Sequence, residues 1–211
     1  MKNLLFLLVL LLFSCKEKKE LIVQNKMPQQ KVVNKVLDWQ EGFELTHNID
    51  RDSIWNKPVR FYLENKQCNQ TAKDFYFGKY RPTDDPKSAE LLSLVTTDNH
   101  DLRPFYRWIL NKTILIQDGA LAEYTGVPAR KYAEKFPKEF FEYMDYDKSG
   151  EKYLDWKNAI LYSGFYDLDD YKNSKKIRYN LIKTMNSNCI DCDKKMIWRI
   201  DKFAKDCFQD Q

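Results

Sequence analysis

The sequence predicts a mainly α fold, an irregular multi-helix bundle with a less regular N-terminal part. Three observations point there. Apolar residues recur at spacings of three and four through most of the chain beyond residue 86. Capping residues and first-turn prolines precede those stretches. Only 6 glycines and 7 prolines in 211 residues leave little turn chemistry for an architecture of many short strands, while 43% hydrophobic and 15% aromatic content supplies a core.

Read in order, residues 1–14 form a leader and residues 15–36 a tether rich in Lys and Gln. Residues 37–86 are mixed and partly irregular. Phe61-Tyr62-Leu63 and Phe75-Tyr76-Phe77 are aromatic runs without a period, so neither helix nor strand is assigned to them. Residues 87–211 carry the helices and are expected to form one domain with 37–86. Thr83-Asp84-Asp85-Pro86 is a turn, and Ser88 is positioned to cap a helix through Leu91, Leu92 and Val95. Asp98, Asn99 or Asp101 caps the next one, with Pro104 in its first turn. Its apolar stripe is Leu102, Phe105, Tyr106, Ile109, Leu110, Thr113 and Ile114; Arg103, Arg107 and Asn111 lie at spacing four on another face. Pro128 and Pro137 each sit where a short helix would begin, giving Pro128–Phe136 and Pro137–Met144. Tyr153–Tyr162, Tyr171–Met185 and Asp193–Phe208 complete the set, with no internal repeat of fixed period.

Charge excludes one class of partner. Lys and Arg number 35 against 31 acidic residues, a formal +4 with no basic tract, so nucleic acid is not expected. The five cysteines are Cys15, Cys68, Cys189, Cys192 and Cys207. Cys189-Ile190-Asp191-Cys192 is a CxxC motif. Asp193 follows it where haem attachment needs a histidine, and a four-cysteine zinc site lacks its second CxxC. On a continuous last helix Cys192 and Cys207 stand about 22 Å apart, far beyond disulfide reach. Cys68 bridged to Cys189 or Cys192, and a local Cys189–Cys192 bond, both remain open, as structural staples rather than catalysts.

Two further clusters are candidate sites. Asp145-Tyr146-Asp147-Lys148-Ser149-Gly150-Glu151 has the alternating oxygen ligands of the first half of an EF-hand loop, so Asp145, Asp147, Ser149 and Glu151 are a calcium candidate. Its second half departs from the pattern, with Trp156 where the bidentate glutamate belongs. Otherwise no metal and no cofactor is expected. His100, beside Asp98 and Asp101, has the neighbours of a general base, but these are also the residues of a helix start, and capping is the favoured reading. No phosphate-binding glycine loop, HExxH or nucleophile elbow occurs, so no catalytic residue is assigned.

The N-terminus carries the one motif with an address. Lys2 precedes ten apolar residues, Leu4 to Phe13, too few for a bilayer span of about 20. Leu12-Phe13-Ser14-Cys15 then resembles the lipobox of bacterial lipoproteins, over these first fifteen residues only. The resemblance implies cleavage after Ser14, a diacylglyceryl group on the Cys15 thiol, further acylation such as palmitate, and a membrane as partner. Lys16 at the following position favours the outer membrane, on a face left open. Leu102-Arg103-Pro104-Phe105-Tyr106 and Asp118-Gly119-Ala120-Leu121 look like parts of uncharacterised helical envelope lipoproteins, which implies no activity. The expectation is a lipid-anchored, non-enzymatic envelope protein that binds an unidentified protein or envelope ligand, one version being of the immunity type. An envelope hydrolase using acidic residues or His100 in an interhelical cleft is the second reading, and a structural envelope component the third.

Overall fold

The chain begins its described structure with the smallest of hairpins. Strands β1 (Ser53–Ile54) and β2 (Lys57–Pro58) pair antiparallel, Ile54 opposite Lys57. Between them Trp55 and Asn56 both take left-handed backbone, φ 50° and 63°. Positive φ at both central residues marks a two-residue hairpin turn whose twist matches its strands. Asn suits that geometry. A bulky Trp does not, so something must hold it there.

The computed structural model describes residues 48–169 and 172–208, all within one compact unit. The leader, the Cys15 lipidation site and the 15–36 tether lie outside the described residues. After the hairpin come helices α1 (Val59–Leu63) and α2 (Gln70–Tyr76), the latter capped by Asn69 accepting from the Ala72 amide. Within the described part of the segment read as mixed, the two aromatic runs left unassigned fall in or beside these short helices, and the rest is hairpin, turn and irregular chain. The two helices are too short to show a period and are held by burying Val59, Tyr62, Phe75 and Tyr76.

Helix α3 (Pro86–Ser93) runs into a 3₁₀ turn at Leu94–Thr96. Its cap is Asp85, whose carboxylate accepts from the Ser88 amide at 2.7 Å. Ser88 itself is buried and meets the Tyr80 hydroxyl and the Thr83 amide. Pro86 at the first helical position brings the start forward from the expected Ser88. Helix α4 (Arg103–Ile116) follows a turn in which the Asn99 side chain accepts from the Asp101 and Leu102 amides. All seven residues of its expected apolar stripe are buried.

Helix α5 (Gly119–Lys135) is capped by Asp118 and passes straight through Pro128, where the sequence predicts a new start. Proline removes one i to i−4 bond and crowds the Tyr124 carbonyl, which costs an isolated helix about 3 kcal/mol. Burial of Leu121, Thr125, Ala129, Tyr132 and Ala133 on both sides of Pro128 overrides that preference. Helix α5 is the hub, touching α3, α4, α6 (Pro137–Tyr146), α7 (Glu151–Ser163) and α8 (Ser174–Asn188). Its approach to α7 is closest at Gly126, where a Cβ would stand 2.5 Å from the Ala159 carbonyl oxygen and the Gly164 amide. Helix α9 (Lys194–Cys207), capped by Asp193, packs on α7 and α8. Among the described residues the fold is mainly α, nine helices with one two-stranded hairpin.

Candidate functional site

Two arginines on α4 and one on α5 are the most buried cations among the described residues. Arg103 and Arg107, read from sequence as a face apart from the apolar stripe, both point into the protein at 7% and 2% exposure. Helix α4 is central enough that this face meets α5, α6 and α7 rather than water. Arg103 is matched: Nε and Nη2 donate to the Glu139 carboxylate at 2.9 and 2.5 Å, and Nη1 donates to the Thr97 carbonyl. Asn111, one turn beyond Arg107, accepts from the Trp156 indole at 2.9 Å.

Arg107 is not matched. Its Nη1 donates to the Tyr132 hydroxyl at 2.9 Å, while Nε and Nη2 are buried without a hydrogen-bond partner. The guanidinium sits in an aromatic corner, 4.2 Å from the Trp55 ring centroid and 4.1 Å from that of Tyr143. The Lys152 amine lies 4.3 Å from the other contact of that corner, the Tyr143 ring, and burial, ahead of its charged neighbours, lowers its pKa. Each ring contact contributes about 0.5–2 kcal/mol, comparable to the loss from one unbonded buried donor. Trp55 is thus held in its left-handed turn by the cation beneath it.

The third arginine floors a groove. Arg130, 3% exposed, pairs with Asp167 at 2.9 Å and lies 3.6 Å from the Glu134 carboxylate one turn on; Lys131 also reaches Asp167, at 3.0 Å. Burial raises the pKa of Glu134, opposed by Arg130. Burial works the same way on Asp167, but the bonds from Lys131 and Arg130 outweigh it and the pKa falls. Above Arg130 and Glu134 opens a cavity of about 510 Å³, walled on the other side by α8. That wall is Asn180, Lys183, Thr184, Ser187 and Asn188, spaced i, i+3, i+4, i+7 and i+8 so that they share one helix face. Asn188 donates to the Glu134 carbonyl and so ties the two helices together at one end. The side chains of Asn180, Lys183 and Thr184 engage nothing among the described residues. In the sequence the stripe is a polar i, i+4, i+7, i+8 series flanking the apolar stripe of Ile177, Leu181 and Met185. Polar helix faces usually face only water, so the series by itself carries no signal of a groove.

The residues singled out from sequence fall in several places. Cys189 and Cys192 are joined across the turn between α8 and α9, with Cα atoms 5.5 Å apart; Asp191 takes φ 55° to close it. Cys68 and Cys207 are separate buried thiols, and burial pushes Cys207 up to about 12. Asp145 is turned to Arg199, which donates to both carboxylate oxygens at 2.8 and 2.6 Å. Asp147 accepts from the Ser149 amide and hydroxyl and the Lys152 amide, and Glu151 opens α7. Among the described residues no three His, Cys, Asp or Glu side chains gather as a metal site would require. His100 stands exposed, Asp98 pairs with Lys135 and Asp101 with Lys57, so the three do not converge on a cleft. No helix among the described residues is long and apolar enough to cross a membrane.

Comparison with known proteins changes the address. No protein-family model matches the chain, and no solved structure matches it. Two sequences of the DUP240 protein DFP1 of Saccharomyces cerevisiae, one from strain S288c, are each 29% identical over 107 residues. The match covers 43% of this chain and 59% of one relative and 44% of the other, so the chain spans about half the length of these relatives. The relatives are eukaryotic, and they overturn the bacterial lipoprotein reading. With it go the diacylglycerol anchor and palmitate, the outer-membrane location, and the envelope binding protein, envelope hydrolase and structural envelope component built on that address. The physical reason is the smallness of the signal. A lipobox is four residues after an apolar run, and such a run with a lysine before it serves secretion generally.

Proposed function

We propose that this domain recognises an extended polypeptide segment of a partner protein in the groove between α5 and α8. The observation that carries the reading is the row of unengaged hydrogen-bonding side chains, Asn180, Lys183 and Thr184, facing a cavity floored by Arg130 and Glu134. Neutral amides and hydroxyls in line along a helix suit the alternating N–H and C=O groups of a peptide backbone. Nine residues of helix from Asn180 to Asn188, eight steps of about 1.5 Å, span about 12 Å, which matches three to four residues of extended chain at about 3.3 Å each. Arg130 and Glu134, already held by Asp167 and by each other, offer a fixed donor and acceptor at the floor rather than a net charge.

Selection of a phage-displayed peptide library on the purified full chain tests this. Thr184 is exposed, so Thr184→Trp fills the groove without disturbing the core. Peptides are expected to be enriched on the wild type and to lose at least tenfold in capture on Thr184→Trp. Failure to enrich any sequence, or equal capture by both proteins, overturns the reading.

A further inference from the structure

The Arg107 guanidinium is short of partners in a patterned way. The engaged nitrogen is Nη1; the two left without hydrogen bonds are Nε and Nη2. Those two N–H groups point the same way along one edge of the planar group, the edge that grips both oxygens of a carboxylate or phosphate side by side. Arg103, one turn earlier on the same helix, uses that very edge on Glu139. For Arg107 no protein carboxylate comes within ion-pair distance among the described residues: Glu139 is taken by Arg103 and Asp101 by Lys57. A second cation, Lys152, lies on the shared Tyr143 ring, which raises the positive potential of the corner further.

One wall of the corner is Trp55. It rides on a hairpin of two-residue strands and holds a left-handed backbone that disfavours so large a side chain. The tip is tied down by the Ser53–Pro58 and Ile54–Lys57 pairs, by the Tyr62 hydroxyl donating to the Ile54 carbonyl at 2.8 Å and by Lys57 pairing with Asp101, so Trp55 is a fixed wall of the corner. The ring is half-buried, in edge contact with Tyr143 and tilted against Tyr146.

We infer that Arg107 is the anchor of an oxyanion-binding site, receiving a carboxylate or phosphate group on its Nε–Nη2 edge beneath Trp55. The ligand completes the pairing that Glu139 provides for Arg103, with the Trp55 ring stacked on the guanidinium beside it. This site shares no residue with the α5–α8 groove, and either can fail without the other.

The experiment uses the full chain with two probes, sodium phosphate and sodium acetate, each titrated against sodium chloride at constant ionic strength. Two signals are read: the thermal midpoint and the proton and nitrogen shifts of the Arg107 Nε–H group. Phosphate, acetate or both are expected to raise the midpoint saturably and to move the Nε–H resonance, the responding salt telling which oxyanion fits. Arg107→Lys keeps the charge and loses the paired edge, so the apparent affinity is expected to weaken at least tenfold. Trp55→Phe, should Arg107→Lys not fold, is expected to bind with a faster off-rate in the same titration. If neither salt exceeds chloride and the Nε–H resonance stays fixed, the site does not exist; an unchanged affinity in a folded Arg107→Lys protein overturns it equally.

Discussion

Buried charge is resolved in opposite ways by two arginines one turn apart. Arg103 has a carboxylate on its bidentate edge and a carbonyl on its remaining nitrogen, so its desolvation is answered in full. Removing the charge of its partner leaves it stranded. Glu139→Gln is expected to destabilise the protein by about 1–3 kcal/mol, less than a wholly buried pair would lose because the Glu139 side chain is 35% exposed. The urea midpoint measures it, with the slope unchanged. The thiols offer a second test at this scale. Burial raises the pKa of Cys68 and, further, that of Cys207, so neither is a ready thiolate. Alkylation mapped by peptide mass is expected to label both only after denaturation.

The helices owe their limits to neighbours as much as to their own sequence. Helix α5 tolerates Pro128 because α3, α4, α7 and α8 surround it, and it reaches α7 only because residue 126 has no side chain. Gly126→Ala gains helix propensity, worth about 1 kcal/mol in an open helix. Against that, the new methyl meets backbone atoms of Ala159 and Gly164, which cannot swing aside as a side chain could. Overpacking of this kind costs about 1–3 kcal/mol, so a net loss of stability is expected, read as a lower thermal midpoint. Short helices α1 and α2 were unreadable from sequence for the complementary reason: five and seven residues give fewer than two turns each, and no period emerges from so few positions.

Across the whole molecule, exposed carboxylates set the response to acid. The Ser88 amide holds Asp85 below the ordinary carboxylate range, the Arg199 guanidinium does so for Asp145, and the Lys152 amide leads for Asp147. A lowered folded-state pKa contributes stability that is complete above the unfolded value of about 3.9 and is lost as pH falls through the folded one. Glu134 runs the other way: burial raises its pKa, so its protonation favours folding at low pH and its contribution fades as pH rises. Asp155 is raised likewise, but with seven lowered aspartates among the described residues, Asp98, Asp101, Asp167 and Asp206 included, against these two, the thermal midpoint is expected to fall steadily below about pH 4. The Cys189–Cys192 bond closes a very short loop, and its reduction is expected to lower stability by about 2 kcal/mol without unfolding the protein. Circular dichroism melts with and without reductant check this.

By itself the sequence determined the helical class, the stripe from Leu102 to Ile114 that α4 buries, and the start of α6 at Pro137, because periodicity and first-turn proline act locally. It also showed the raw material of both sites, Arg107 and the polar series on α8, without showing what either faced. Whether a polar helix face meets water, a carboxylate or an aromatic corner depends on which helix is packed against it. That is a matter of distant residues. Only the tertiary structure carried α5 through Pro128, turned Arg107 inward under Trp55, and set Arg130 beneath α8. Burial supplies several kcal/mol where local preference supplies about one, so where the two disagree the packing decides.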